Sequence, residues 1–292
     1  MPLAGVMLVA AGCGESSSGQ EPSAQSSGPE IPSVPAGPAA DLVPEELKGR
    51  PLNIVTYNDY PPEMFVEDGE LTGYNPELGL ALAADLGLQP NLVGMNFDAI
   101  IPGVEAHRYD FAIAGLNITP ERLEVVDLVA YINNSTGYAT ATNSDITVES
   151  GEDLCGLRAA LLSGSAQHNE MTAQSEKCIA AGKQPIEVST FTGASQANTA
   201  VISQRADVAV AQLTQLTYYA SKSNGQLEVE PYRSGEGRQG LGVAKGDPLG
   251  PALVQALKDL IASGVYQDIL KKWGVESLAL SEPEMLPGPN QG

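Results

Sequence analysis

The stretch Gly115-Leu-Asn117-Ile-Thr119-Pro120-Glu121-Arg122 holds the residue types best suited to gripping a small anion. Thr119 is a good helix N-cap, and Pro120 suits the first helical turn. The free backbone N–H groups of such a start, with the helix dipole, favour negative charge. Arg122 adds a planar, two-pronged donor matched to a carboxylate. The same residues also fit a surface arginine in an ordinary capped helix, and spacing alone does not choose.

Tyr57, Tyr60 and Phe97 form a second set, each placed where a strand ends or a helix is about to begin. Aromatics there can wall a pocket and stack on a planar or cationic ligand, or simply pack a rim. Ser163-Gly164-Ser165-Ala166 offers hydroxyls and free N–H groups between a buried strand and a polar helix. It lacks the G-x-S-x-G spacing of a nucleophile elbow, and neither His107 nor His168 is placed as a partner base. Gly235-Glu-Gly-Arg-Gln-Gly240 fits G-x-G-x-x-G, but a strand-like run follows it where a dinucleotide site needs a helix. Metal-ligand spacing is also missing, so no metal and no cofactor is expected.

Strands and helices alternate around these residues. Strand-like runs fall at 52–57, 91–95, 110–114, 136–141, 157–161, 185–190, 207–211 and 239–244. Asn75-Pro76-Glu77 and Asp247-Pro248 are cap-and-proline helix starts, and Gly87 and Gly264 are stops. Such alternation predicts an α/β sheet with mostly parallel strands. His107–Ala114 and Gln204–Ala211 share the pattern x-Arg-x-Asp-apolar-Ala-apolar-Ala, which suggests one element used once in each of two similar lobes. Ligands of open α/β sheets bind beyond the carboxyl ends of strands, so Gly115 and Gln212 should face each other across a cleft.

The net charge of −21 argues against a nucleic-acid partner. Met7-Leu-Val-Ala-Ala-Gly-Cys13 looks like a bacterial lipobox whose cysteine receives diacylglycerol, although Ala10 stands where Leu is usual and no Lys or Arg precedes the run. An ordinary apolar N-terminus is the alternative. Export would place Cys155 and Cys178 in an oxidising exterior that favours a bridge over two free thiols. Residues 14–48, rich in Ser, Gly, Pro, Ala and Glu, read as a disordered tether, and the prolines at 283, 287 and 289 mark 279–292 as a flexible tail.

Taken in order, several short stretches resemble the amino-acid-binding class of periplasmic-type solute-binding proteins. They are Tyr60-Pro-Pro62, Asp68-Gly69, Leu71-Thr-Gly73-Tyr74, Asp98-Ala-Ile-Ile-Pro102, Asp110 with Ala114-Gly115, and Thr119-Pro-Glu-Arg122. Asn143-Ser-Asp145-Ile146, Leu154-Cys-Gly156, Tyr266 and Lys272-Trp-Gly274 continue the series, so the likeness runs from about Leu52 to Val275. It implies a two-lobed type II fold: a first lobe of 49–141 plus 239–278, a second of 142–238, and two hinge strands near 137–142 and 232–240.

The resemblance further implies that Arg122 grips a ligand α-carboxylate, helped by Ala114, Gly115 and Asn117. Ser163, Ser165 and Ala166 would close from the other lobe, with Tyr60 and Phe97 over the ligand side chain. The acid that usually takes the α-ammonium falls on Gln212. A second common acid falls on Tyr57, with Asp59 two residues on. A neutral amide does not offset the cost of burying an ammonium, which points to an N-substituted or cyclic amino-acid derivative or another small carboxylate. The expected protein is a monomeric, exported, lipid-anchored receptor that serves ABC permease subunits and is not an enzyme. A secreted dehydratase of the cyclohexadienyl type, on the same fold, is the alternative.

Overall fold

The computed structural model describes Met1 and residues 35–287. Cys13, the apolar run before it and residues 14–34 of the expected tether lie outside the described residues.

The chain builds one half, crosses to a second, and returns. β1 (Leu52–Tyr57) leads into a small antiparallel sheet of β2 (Asp59–Tyr60), β3 (Met64–Glu67) and β4 (Glu70–Thr72). α1 (Tyr74–Asp85), β5 (Pro90–Met95), α2 (Ile100–Glu105), β6 (Phe111–Asn117) and α3 (Pro120–Val125) follow. The 16-residue β7 (Val126–Ala141) then carries the chain into the second half. That half holds β8 (Arg158–Leu162), α4 (Ala166–Ala180), β9 (Glu187–Phe191), α5 (Ala194–Ile202), β10 (Val208–Gln212), α6 (Leu213–Lys222) and β11 (Leu227–Val229). The long β12 (Ser234–Ala244) returns to the first half, which α7 (Leu249–Ser263), α8 (Val265–Lys272) and β13 (Met285–Leu286) complete.

The strand order β5-β1-β6-β12-β7-β10-β8-β9 repeats one motif twice. β5-β1-β6 and β9-β8-β10 are parallel triplets, each flanked by an antiparallel long strand. The duplicated Arg-x-Asp pattern has the same job in both. Asp110 accepts from Asn53 N (2.7 Å) and pairs with Arg50, while Asp207 accepts from Arg158 N (2.8 Å) and pairs with the Arg158 guanidinium. Each aspartate thus clips the foot of its own strand to the neighbouring first strand, which fixes the register that delivers the strand ends to the cleft. The residues β7 pairs with change from β12 to β10 around Asn133–Thr136, a few positions earlier than the hinge expected at 137–142.

Of the stretches read as loose, residues 35–48 and 279–287 are packed, while 288–292 lie outside the described residues. Ala39, Val43 and Leu47 are buried in the core that holds Leu82, Leu253 and Leu257, and Gly37 N donates to Asp85 O (2.9 Å). The segment is poor in large apolar residues, but the few it has suffice to dock two short 3-10 turns on the first half. The tail docks too. β13 pairs antiparallel with β7 at Val129 and Leu128, and Ala130 N donates to Glu284 O (2.8 Å). Pro283 and Pro287 bracket this two-residue edge strand, where their missing N–H groups cost nothing.

Cys155 and Cys178 form a disulfide with Cα atoms 5.6 Å apart, tying the turn before β8 to α4. A closed loop of this size is worth about 3 kcal/mol through the unfolded state. Replacing both cysteines with alanine should therefore lower stability by about that amount in urea titrations. A loss below about 1 kcal/mol would show that the bridge constrains little.

Candidate functional site

The carboxyl ends of β1, β6 and β10 and the N-terminus of α4 meet around a nearly filled cleft whose cavity is only about 10 Å³. Ten residues singled out in the sequence line it: Tyr57, Tyr60, Phe97, Ala114, Gly115, Asn117, Arg122, Ser165, Ala166 and Gln212. Two others do not. Ser163 extends the pairing of β8 with β9, its N donating to Phe191 O at 2.8 Å. Asp59 is engaged beside the cavity, accepting from Ser195 N (3.2 Å), Ser195 Oγ (2.7 Å) and the Tyr219 hydroxyl (3.2 Å).

Arg122 sits in the first turn of α3, capped by Thr119, whose Oγ1 accepts from Arg122 N (3.4 Å). The guanidinium is buried. It donates to Asn117 O (2.9 Å) and, across the cleft, to Gly164 O (3.2 Å), and it lies 5.5 Å from the centre of the Phe97 ring. Burial pulls its pKa down to about 10, so it remains charged at neutral pH. Among the described residues no carboxylate forms an ion pair with it. Opposite, Ser165 holds the N-cap position of α4 without a side-chain capping bond, and its buried Oγ has no hydrogen-bond partner among the described residues. A buried cation facing an unpaired hydroxyl and a helix N-terminus is what a carboxylate needs.

The other wall is aromatic. Tyr57 contacts Tyr60 and Phe97 at ring separations of 6.2 and 5.9 Å. Both tyrosines also reach the second half: Tyr57 OH donates to Thr192 O (3.0 Å) and accepts from Ala194 N (3.2 Å), while Tyr60 OH accepts from Gln212 N (2.9 Å). Gln212 and Gly115 do meet across the cleft, Gln212 Nε2 donating to Gly115 O at 3.2 Å. The Gln212 amide oxygen in turn accepts from Gln239 Nε2.

Met64, Leu162 and Gln167 also line the cavity, and nothing in their type or spacing singles them out. A fourth unanticipated residue, Glu63, lies fully buried directly behind Gly115. An acid directly after Pro61-Pro62 reads from sequence as an ordinary turn residue and gives no signal of its burial.

Residues 52–276 match the family described as bacterial extracellular solute-binding proteins, family 3. The chain is 30% identical to the arginine-binding protein ArgT of Corynebacterium glutamicum over 82% of this chain and 80% of that one. It superimposes on an ancestral arginine-binding protein bound to arginine with a TM-score of 0.70 at 28% identity, covering 78% of this chain and 99% of the other. It is similarly like an ancestral amino acid-binding protein that is a precursor of cyclohexadienyl dehydratase, with a TM-score of 0.68, 27% identity, and 76% and 94% of the two chains covered.

Proposed function

Because the chain belongs to the bacterial extracellular solute-binding proteins, family 3, we propose that it captures one small amino acid, or a derivative with a free carboxylate, and hands it to the permease of an ABC importer. The carrying observation is Arg122: a buried guanidinium without an acid partner among the described residues, facing the unpaired Ser165 hydroxyl across a two-lobed type II fold. The aromatic wall suits the ligand's side chain, and the relatives named for arginine make that amino acid the first to test.

Capture would work by closure. Arg122 to Gly164, Tyr57 to Thr192, Tyr60 to Gln212 and Asp59 to Ser195 all join the two lobes, so a ligand seated among them adds contacts that only the closed arrangement offers. Lipid on Cys13 would hold this receptor at the outer face of the membrane, and it would act as a monomer.

A thermal-shift screen of the twenty amino acids, followed by calorimetry and small-angle scattering, tests this reading. The expected result is at least one micromolar or tighter ligand and compaction on binding. Turnover of prephenate or arogenate would favour the dehydratase reading instead. Failure of every carboxylate to bind would overturn the receptor reading.

A further inference from the structure

Gln212 leaves the cavity without an acid where an α-ammonium would be expected to dock, yet a carboxyl group stands immediately behind the wall. Glu63 follows Pro61-Pro62 in the turn between β2 and β3 and is fully buried. Gly115 has a positive φ of 65° and no side chain, and it lines the cavity. A Cβ at Gly115 would stand 2.6 Å from Glu63 Oε2 and 3.3 Å from Gln212 Nε2. Met64 Cε would lie 3.2 Å from the same Cβ, so only glycine leaves room for the Glu63 carboxyl against the back of this wall.

The groups around Glu63 are polar but uncharged. Thr214 Oγ1 of α6 donates to Oε1 at 3.3 Å, and Gln239 Nε2 of β12 donates to Oε2 at 3.4 Å, both long. Tyr74 at the start of α1 also hydrogen-bonds it, and Tyr131 of β7 and Tyr60 of β2 face it, all with phenols that burial keeps protonated. Among the described residues no lysine, arginine or histidine pairs with it. An isolated buried carboxylate is costly, so the group keeps its proton until a cation arrives to offset that cost.

We infer that Glu63, reached past the bare Cα of Gly115, supplies the counter-charge for the α-ammonium of the ligand, the task Gln212 cannot perform. This deepens the receptor reading and rests on the carboxylate grip assigned to Arg122. It also removes the reason to expect an N-substituted ligand, which assumed that no acid reaches the cavity. Burial holds the Glu63 carboxyl protonated up to about pH 8. An arriving ammonium stabilises the carboxylate, so the proton on Glu63 leaves to solvent as the ion pair forms.

Proton release is the signature. Calorimetry at pH 7 in phosphate and in Tris counts protons exchanged on binding. The probes are the best-bound of the twenty amino acids and the same molecule lacking its α-amino group. The amino acid should release most of one proton and the des-amino acid none. Glu63→Gln should abolish the release and weaken the amino acid about 100-fold or more, as befits an unpaired buried ammonium, while changing the des-amino acid by less than about threefold. The wild-type proton count needs no variant, so a misfolded Glu63→Gln leaves the test standing. Equal binding of the two probes, or no proton release from wild type, overturns the role of Glu63 while leaving the receptor reading intact. Binding of neither probe overturns both.

Discussion

Arg122→Ala is expected to lose roughly 10²- to 10⁴-fold in affinity for the best-bound amino acid, because a desolvated carboxylate forfeits about two charge-assisted bonds of roughly 1.5–3 kcal/mol each. The fold should survive. Among the described residues the guanidinium has backbone carbonyls but no acid for partners, so its removal leaves no buried counter-charge stranded. Arg122→Lys should fall between, since an ammonium cannot reach Asn117 O, Gly164 O and a ligand with the geometry of a fork. Calorimetry on the three proteins, with melting temperatures as the folding control, reads the result. Wild-type affinity in the alanine variant would mean the carboxylate binds elsewhere.

The second large effect concerns stability in the absence of ligand. Glu63 has its pKa raised from 4.5 to about 8, chiefly by burial, with hydrogen bonds from Tyr74, Gln239 and Thr214 opposing. Between those values the folded protein holds a proton that the unfolded chain has already released. Stability therefore falls as pH rises through this window, by up to about 1.4 kcal/mol per pH unit, and levels off above the folded value. Glu63→Gln keeps the shape and has no such dependence. It should be close to wild type at pH 5 and more stable by a few kcal/mol at pH 8, judged from urea midpoints. Asp85, raised to about 6 by burial and by Asp259, titrates in both proteins and cancels from the difference. A gap that stays constant with pH would show that Glu63 is not the group responsible.

Much of this architecture was legible because its determinants are local. Thr119-Pro120 marks a helix start whatever surrounds it, and the structure caps α3 there. The repeated Arg-x-Asp pattern exposed two equivalent strands because the same clip to a neighbouring strand is needed twice. The polar run Asn133-Asn134-Ser135 hid the continuity of β7, since it interrupts the apolar pattern where the strand passes from one lobe to the other. Glu63 was unreadable for a different reason. Whether a carboxyl after Pro61-Pro62 faces solvent or the core depends on β2 and β3 folding beneath β6, contacts that span more than fifty positions. The docked tail was missed because prolines signal loops more strongly than they signal a two-residue edge strand.

The two strands that connect the lobes also set the geometry of any motion between them. β7 and β12 lie side by side, and the pairing of β12 with β7 is interrupted between Ser234 and Gly237, where Gly235 has a φ of 56°. A body attached at one point can swivel in every direction. A body attached at two neighbouring points keeps one easy rotation, about an axis fixed by the pair, and resists the others. Under the closure proposed above, the second lobe would therefore move as a door rather than a ball joint. One rotation about the strand pair would bring Gly164 to Arg122 and Gln212 to Gly115 along a single arc.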